Sequence, residues 1–178
     1  LMGLIFANDV RNISITGEGF LDGIGTHFMN KNTRFAASKE ERKFTLQKEK
    51  YRDELKLEDG PLKFKERPGH ILTISNAENI LIQNINFLDA PKWTIRIGGS
   101  DNVKISQITI KNNLLIPNSD GIHITSSINV NVSNTNIIAG DDALIVTGFK
   151  SGLNKYKYGN NSKEAKNIIF DNCIITTK

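Results

Sequence analysis

The sequence contains no run of about 18 consecutive apolar residues, the length a membrane-spanning helix requires, so no membrane span is expected. Its single cysteine, Cys173, falls in an apolar column of the repeat described below. It reads as a small core residue and leaves the redox compartment open. Aromatic residues make up only 7% of the chain against 38% hydrophobic residues overall, which at 178 residues bounds it as one soluble domain or part of one. No Asn-Gly pair separates the strand-like runs, and an antiparallel sandwich would want such tight hairpins. The segment Leu1-Met2-Gly3-Leu4-Ile5-Phe6 lacks the basic flank of a signal peptide and reads as the middle of a strand. Ile174-Ile175-Thr176-Thr177-Lys178 likewise stops at a strand end, so the expectation is a fragment, cut at both ends, of a longer solenoid.

What the sequence does have is an internal repeat. Four nine-residue segments, Asn79 to Phe87, Asn102 to Ile110, Asn129 to Ile137 and Asn167 to Ile175, open with Asn. Each then places an apolar residue at its second, fourth and ninth positions, and Asn12-Ile13-Ser14-Ile15 begins a fifth copy. Alternation of period two carried by β-branched residues predicts strands with one buried face. The starts lie 23, 27 and 38 residues apart, too close for a strand-helix-strand unit at every step but suited to one coil of a solenoid. The expected fold is all-β, a right-handed parallel β-helix, with Asn at left-handed turn positions whose amides can bond the next coil.

The net charge of +4 is local: residues 31 to 67 hold twelve Lys or Arg against eight Asp or Glu, and the remainder balances. Ser38-Lys39-Glu40-Glu41 has the spacing of a capping box, and Phe44, Tyr51 and Leu55 follow at helical intervals. A charged insertion over 31–66 is therefore expected, with a helix over roughly 38 to 56 covering the side of the solenoid. Acids interleave the bases and no nucleic-acid-binding motif occurs, so nucleic acid is not an expected partner.

Two acidic motifs, Asn118-Ser119-Asp120-Gly121 and Gly140-Asp141-Asp142, each precede an alternating apolar run. Aligning those runs with Trp93-Thr94-Ile95-Arg96-Ile97 puts Ile97, Ile124 and Val146 in one column and Ile95, Ile122 and Leu144 in the next. Trp93, Asp120 and Asp142 then share a column, on rungs about 4.8 Å apart. Single Asp residues often cap strand starts, but three carboxylates on two successive rungs repel one another. At least one pKa should rise while others stay low. One protonated and one or two ionised carboxyls are the equipment of glycosidic hydrolysis.

These residues resemble a known family. Asn118-Ser119-Asp120-Gly121 is similar to its N-T-D-G motif, with Ser for Thr, and Gly140-Asp141-Asp142 to its G/Q-D-D motif. Ile13-Ser14-Ile15-Thr16-Gly17-Glu18-Gly19-Phe20-Leu21-Asp22-Gly23 resembles its I-x-G-x-G-x-I-D-G segment, and Arg67-Pro68 precedes the following coil in the same way. The family is the polygalacturonases and related pectin hydrolases, glycoside hydrolase family 28, which adopt a right-handed parallel β-helix. The resemblance implies an inverting hydrolase of α-linked galacturonate, secreted or periplasmic, monomeric, and needing neither metal nor cofactor. Asp141 matches the general acid; Asp120 and Asp142 match the pair that activates water. The family's later His-Gly and Arg-x-Lys motifs do not occur in these residues, which fits an internal fragment, inactive alone.

Asn118, beside the acids, joins the candidate substrate-binding set. His123 points outward beside Asp120, where the family often lines a sugar subsite; the alternative is a solvated strand position. Arg96, one rung away in the same outward column, could meet a substrate carboxylate in two-pronged fashion or be a surface arginine. Lys150 opens a segment, Lys150 to Asn161, that is either a cleft wall for an anionic polymer or a surface loop. Trp93 stacks on a sugar ring or simply packs. Three functional classes follow: a hydrolase, a different β-helix enzyme such as a lyase or epimerase, and a non-catalytic carbohydrate-binding solenoid.

Overall fold

A computed structural model describes residues 3–34, 61–148 and 164–177. The described residues form five coils. The first contains β1 (Gly3–Asn8), β2 (Arg11–Thr16) and β3 (Phe20–Asp22). A single 3-10 turn, Gly25–Phe28, leads into an inserted ribbon of β4 (Met29–Arg34) and β5 (Leu62–Phe64). The second coil contains β6 (His70–Ser75), β7 (Glu78–Gln83) and β8 (Asn86–Leu88), and the third β9 (Ile95–Gly98), β10 (Asp101–Ser106) and β11 (Thr109–Lys111). The fourth is β12 (Ile122–Thr125) and β13 (Ile128–Ala139), and the fifth β14 (Leu144–Thr147) and β15 (Lys166–Thr177).

All pairing between coils is parallel. One sheet runs β1-β6-β9-β12-β14, and the second joins β2-β7-β10-β13 to β11-β8-β3, with β15 paired outside β13. This is the parallel β-helix expected from the repeat. Ile13, Ile80, Val103, Val130 and Ile168 stand in one column, as the repeat starts require. Because each strand alternates faces, the inward columns collect into one continuous core that includes Leu72, Ile95, Ile97, Ile122 and Ile124, each fully buried. Cys173 pairs with Thr135 in the ladder and packs against that core, as its column predicted.

The recurrent asparagines sit where the chain turns between the two sheets. Asn12, Asn79, Asn102, Asn129 and Asn167 all adopt left-handed backbone, φ 55 to 58°. Asparagine tolerates that conformation better than β-branched or bulky residues do. The side chains also bond to the preceding coil: Asn79 donates to Asn12 at 2.9 Å, Asn102 to Asn79 at 2.7 Å and Asn167 to Asn129 at 2.9 Å. At one rung Asn129 donates instead to Asp101, at 2.8 Å.

The insertion has a feature at its ends that the charge run did not suggest. Its described ends form the antiparallel pair β4–β5, and Met29 and Leu62 pack with Ile116 as a small second core. Leu62 N–H donates to the Leu115 carbonyl at 2.8 Å, so the ribbon is seated on the loop that leads to Asn118. The helix expected over 38–56 lies outside the described residues, as does Lys150 with the rest of its segment to Asn161.

Candidate active site

The register brings the acidic motifs together. Ile122 pairs with Leu144, and Gly121 N–H donates to the Asp142 carbonyl at 2.9 Å. Asp120 and Asp142 therefore occupy the same position on consecutive rungs, about 4.8 Å apart along the stack. Thr94 N–H donates to the Asp120 carbonyl at 2.8 Å, and Ile71 N–H to that of Trp93 at 3.3 Å, which extends the column through Trp93 to His70.

The two motifs are also tied to each other through side chains. Ser119 is fully buried; its hydroxyl donates to the Ile116 carbonyl at 2.8 Å and accepts from Gly140 N–H at 3.1 Å. A Cβ on Gly140 would lie 2.5 Å from that hydroxyl, so only glycine lets the two turns approach this closely. Asn112 ties the first motif to the turn that enters β9. Its amide donates to the Thr94 hydroxyl at 2.8 Å and to the Ser119 carbonyl at 2.9 Å, and accepts from Ala90 N–H at 3.0 Å. No local sequence pattern marks Ser119 or Asn112 for these contacts. The only signal for Asn112 is an amide standing where an apolar run has just ended.

The carboxylates differ in environment. Asp120 is 3% exposed: its Oδ2 lies 3.3 Å from His123 Nδ1, while Oδ1 has no hydrogen-bond partner among the described residues. Asp141 is half-buried; Oδ2 accepts from the Asn118 amide at 3.3 Å and Oδ1 from Asp142 N–H at 3.1 Å. Burial, then the charges of Asp120 and Asp142, hold the Asp141 carboxyl above the ordinary carboxylate range, against backbone N–H groups of Asp142 and Asn118 that pull the other way. Asp142 is exposed. One surface thus carries a carboxyl biased toward its protonated form beside two others.

His123 and Arg96 do occupy the outward column, paired with each other across β9 and β12. Neither is solvated, however: His123 is 7% exposed and Arg96 3%. Trp93 covers His123, ring centroids 3.7 Å apart and 22° from parallel, and His70 stacks on Trp93 at 4.7 Å and 11°. The tryptophan packs between two imidazoles. Burial first, then the neighbouring basic side chains Lys92, Arg96, His123 and Arg67, push the His70 imidazole down to about 3, so it is neutral at physiological pH. Cations therefore gather on the second and third coils, beside the acids of the fourth and fifth. Arg67, quoted above only as part of a motif, reaches into this surface through hydrogen bonds to Pro91, Pro117 and Asn118.

The coils of this parallel β-helix thus stack three aspartates on two rungs, and comparison with known proteins assigns the family. The sequence profile of glycosyl hydrolases family 28 matches residues 3–162, and the chain belongs to that family. A probable polygalacturonase of Vitis vinifera is 28% identical over 164 residues, covering 90% of this chain and 27% of its own length. The polygalacturonase of Malus domestica is 33% identical over 78 residues, 43% of this chain and 17% of that protein. The chain thus spans under a third of these relatives. Among solved structures, the polygalacturonase from Erwinia carotovora ssp. carotovora superposes with a TM-score of 0.67 at 19% identity, over 97% of this chain and 39% of that one. A putative glycosyl hydrolase from Parabacteroides merdae superposes with a TM-score of 0.60 at 17% identity.

Proposed function

We propose that this chain carries the catalytic face of a hydrolase that cleaves α-linked galacturonate in pectin-type polysaccharides with inversion at the anomeric carbon. The observation that carries the reading is Asp141: half-buried, its carboxyl raised, and standing beside Asp120 and Asp142 on consecutive rungs. In this scheme Asp141 gives its proton to the glycosidic oxygen as the bond to the anomeric carbon breaks. Asp120 and Asp142 take the proton of the water whose oxygen replaces the leaving group. The proton gained on one side balances the proton lost on the other, and one water is consumed.

Asp120 Oδ1 has no hydrogen-bond partner among the described residues, so its lone pairs are not committed elsewhere. Lys92, Arg96 and Arg67 set positive potential on the rungs next to the acids, which favours an acidic polymer. Asn118, His123 and Lys150 complete the proposed substrate-binding set, with the buried Arg96 acting through its charge. A secreted or periplasmic monomer belongs to the same proposal.

The test is reducing-end release from polygalacturonate by the protein at its full natural length. Asp141→Asn should lower kcat by about 10²- to 10⁴-fold, the usual worth of a general acid. Wild-type-like turnover in that variant refutes the assignment. A product with a new double bond absorbing ultraviolet light selects a lyase instead, and pectin binding without bond cleavage selects a binding module.

A further inference from the structure

The guanidinium of Arg67 connects elements that are distant in sequence. Its Nη1 donates to the Pro91 carbonyl at 2.9 Å and the Pro117 carbonyl at 2.6 Å. Those carbonyls belong to the turns entering β9 and β12, one coil apart. Its Nη2 donates to Asn118 Oδ1 at 3.4 Å, and its plane lies over the Phe64 ring, 4.1 Å from the centroid. Phe64 is the last residue of β5, so the stem of the inserted ribbon supports the arginine from behind.

Asn118 is exposed and sits in left-handed backbone, φ 53°. An amide has one acceptor end and one donor end. With Oδ1 turned toward a guanidinium, Nδ2 must point the other way, and there it donates to Asp141 Oδ2 at 3.3 Å. The reversed amide would set donors against donors at the arginine and a carbonyl oxygen against the carboxylate. We propose that Arg67 is a positioning residue for Asp141: it pins the turns of two successive coils at one height and orients the Asn118 amide that holds the carboxyl.

An arginine is required because three acceptors on two coils must be reached from one planar fork. A lysine offers its donors from a single point. The insertion gains a role as well, since its stem backs the arginine whatever the rest of it does.

The proposal deepens the reading of Asp141 as the acid, yet its test need not involve turnover. Asp141 is titrated by carbon-detected NMR of its carboxyl in the wild type, Arg67→Lys, Asn118→Ala and the double variant. The charged groups facing Asp141 are Asp120 and Asp142, both negative, with Arg67 positive behind Asn118. Arg67→Lys keeps that positive charge and releases the amide. Losing a donor to the ionised form raises the titration midpoint, by about half a unit to one unit for one hydrogen bond.

Asn118→Ala should give the same rise, and the double variant no more than either alone. A wild-type midpoint in Arg67→Lys, or shifts that add in the double variant, overturns the proposal. Melting curves check that each variant folds. If Arg67→Lys does not, Asn118→Ala still decides, because an unchanged Asp141 midpoint there breaks the same link. Loss of hydrolase activity in the wild type would sink the proposed function and leave this titration result standing. Where turnover is present, Arg67→Lys should lower kcat about tenfold with KM within about twofold, the pattern of an interaction realised in the transition state.

Discussion

The inner and outer faces of the sheet β1-β6-β9-β12-β14 share one backbone and follow opposite rules. Inward, the columns Ile5-Leu72-Ile95-Ile122-Leu144 and Ala7-Ile74-Ile97-Ile124-Val146 are aliphatic on every rung. Outward, the column Phe6-Thr73-Arg96-His123-Ile145 changes residue at each step, and beside it an imidazole, an indole and then two carboxylates follow at His70, Trp93, Asp120 and Asp142. The inner face sets height and register through packing that any aliphatic side chain of suitable size can satisfy. That leaves the outer face free to act as a ruler with marks about 4.8 Å apart, on which each rung carries a different group. Cations and stacked rings occupy its lower rungs and carboxylates its upper ones.

If this division holds, inner substitutions cost stability and leave the chemistry of folded molecules alone. Ile97→Ala removes a fully buried side chain from the middle rung and should destabilise by about 2–5 kcal/mol. Denaturant midpoints at constant slope measure it, with kcat per folded molecule unchanged. A variant that kept its midpoint and lost kcat would show that the two faces are not separable. Gly121→Ala tests the boundary between them. A Cβ there would lie 2.3 Å from the Ala143 carbonyl and 2.7 Å from Ile137, so the fourth and fifth coils must part where Asp120 and Asp142 stack. The expected cost is about 1–3 kcal/mol, with a fall in kcat that Ile97→Ala does not share. Equal stability and equal kcat would mean that the coils are not held as closely as the packing implies.

The inner face was legible from sequence because alternation of Ile and Val at fixed spacing has one cheap solution, stacked strands with a common interior. The Asp120–Asp142 column followed from the same register, with no need to know what surrounds it. Burial of outward residues was not legible. His123 and Arg96 alternate out of the core, and alternation says nothing of what lies above them. The cover on His123 is Trp93, thirty positions earlier, and its placement depends on the turn at Pro91. The ribbon β4–β5 was hidden for a related reason: its charged composition masks Met29 and Leu62, whose partner Ile116 lies in another loop. Ser119 and Asn112 act through hydrogen bonds to turns on neighbouring coils, contacts that no local pattern records. Family 28 resemblance located the acids and carried Arg67, Asn118, Ser119 and Gly140 in its motifs, but it did not say that these residues hold the acids still.

The smallest expected effect separates the outer face from the inner most sharply, because its sign is reversed. The folded Asp141 carboxyl holds its proton more tightly than in the unfolded chain, through burial and the charges of Asp120 and Asp142. Below the unfolded value, about pH 3.9 for an aspartate, both states are protonated and the group contributes no difference. As pH rises, the unfolded chain ionises first, and stability falls until the folded carboxyl also ionises. Asp141→Asn removes that loss, so at pH 7 the variant should melt slightly above the wild type, and the difference should vanish below about pH 3. Thermal melts across that range measure it. An inner-face substitution would instead lower the melting temperature at every pH. A variant less stable than wild type at pH 7 but equal to it at pH 3 would mean that the carboxylate is stabilised where it sits, which contradicts a raised pKa and with it the role of Asp141 as proton donor.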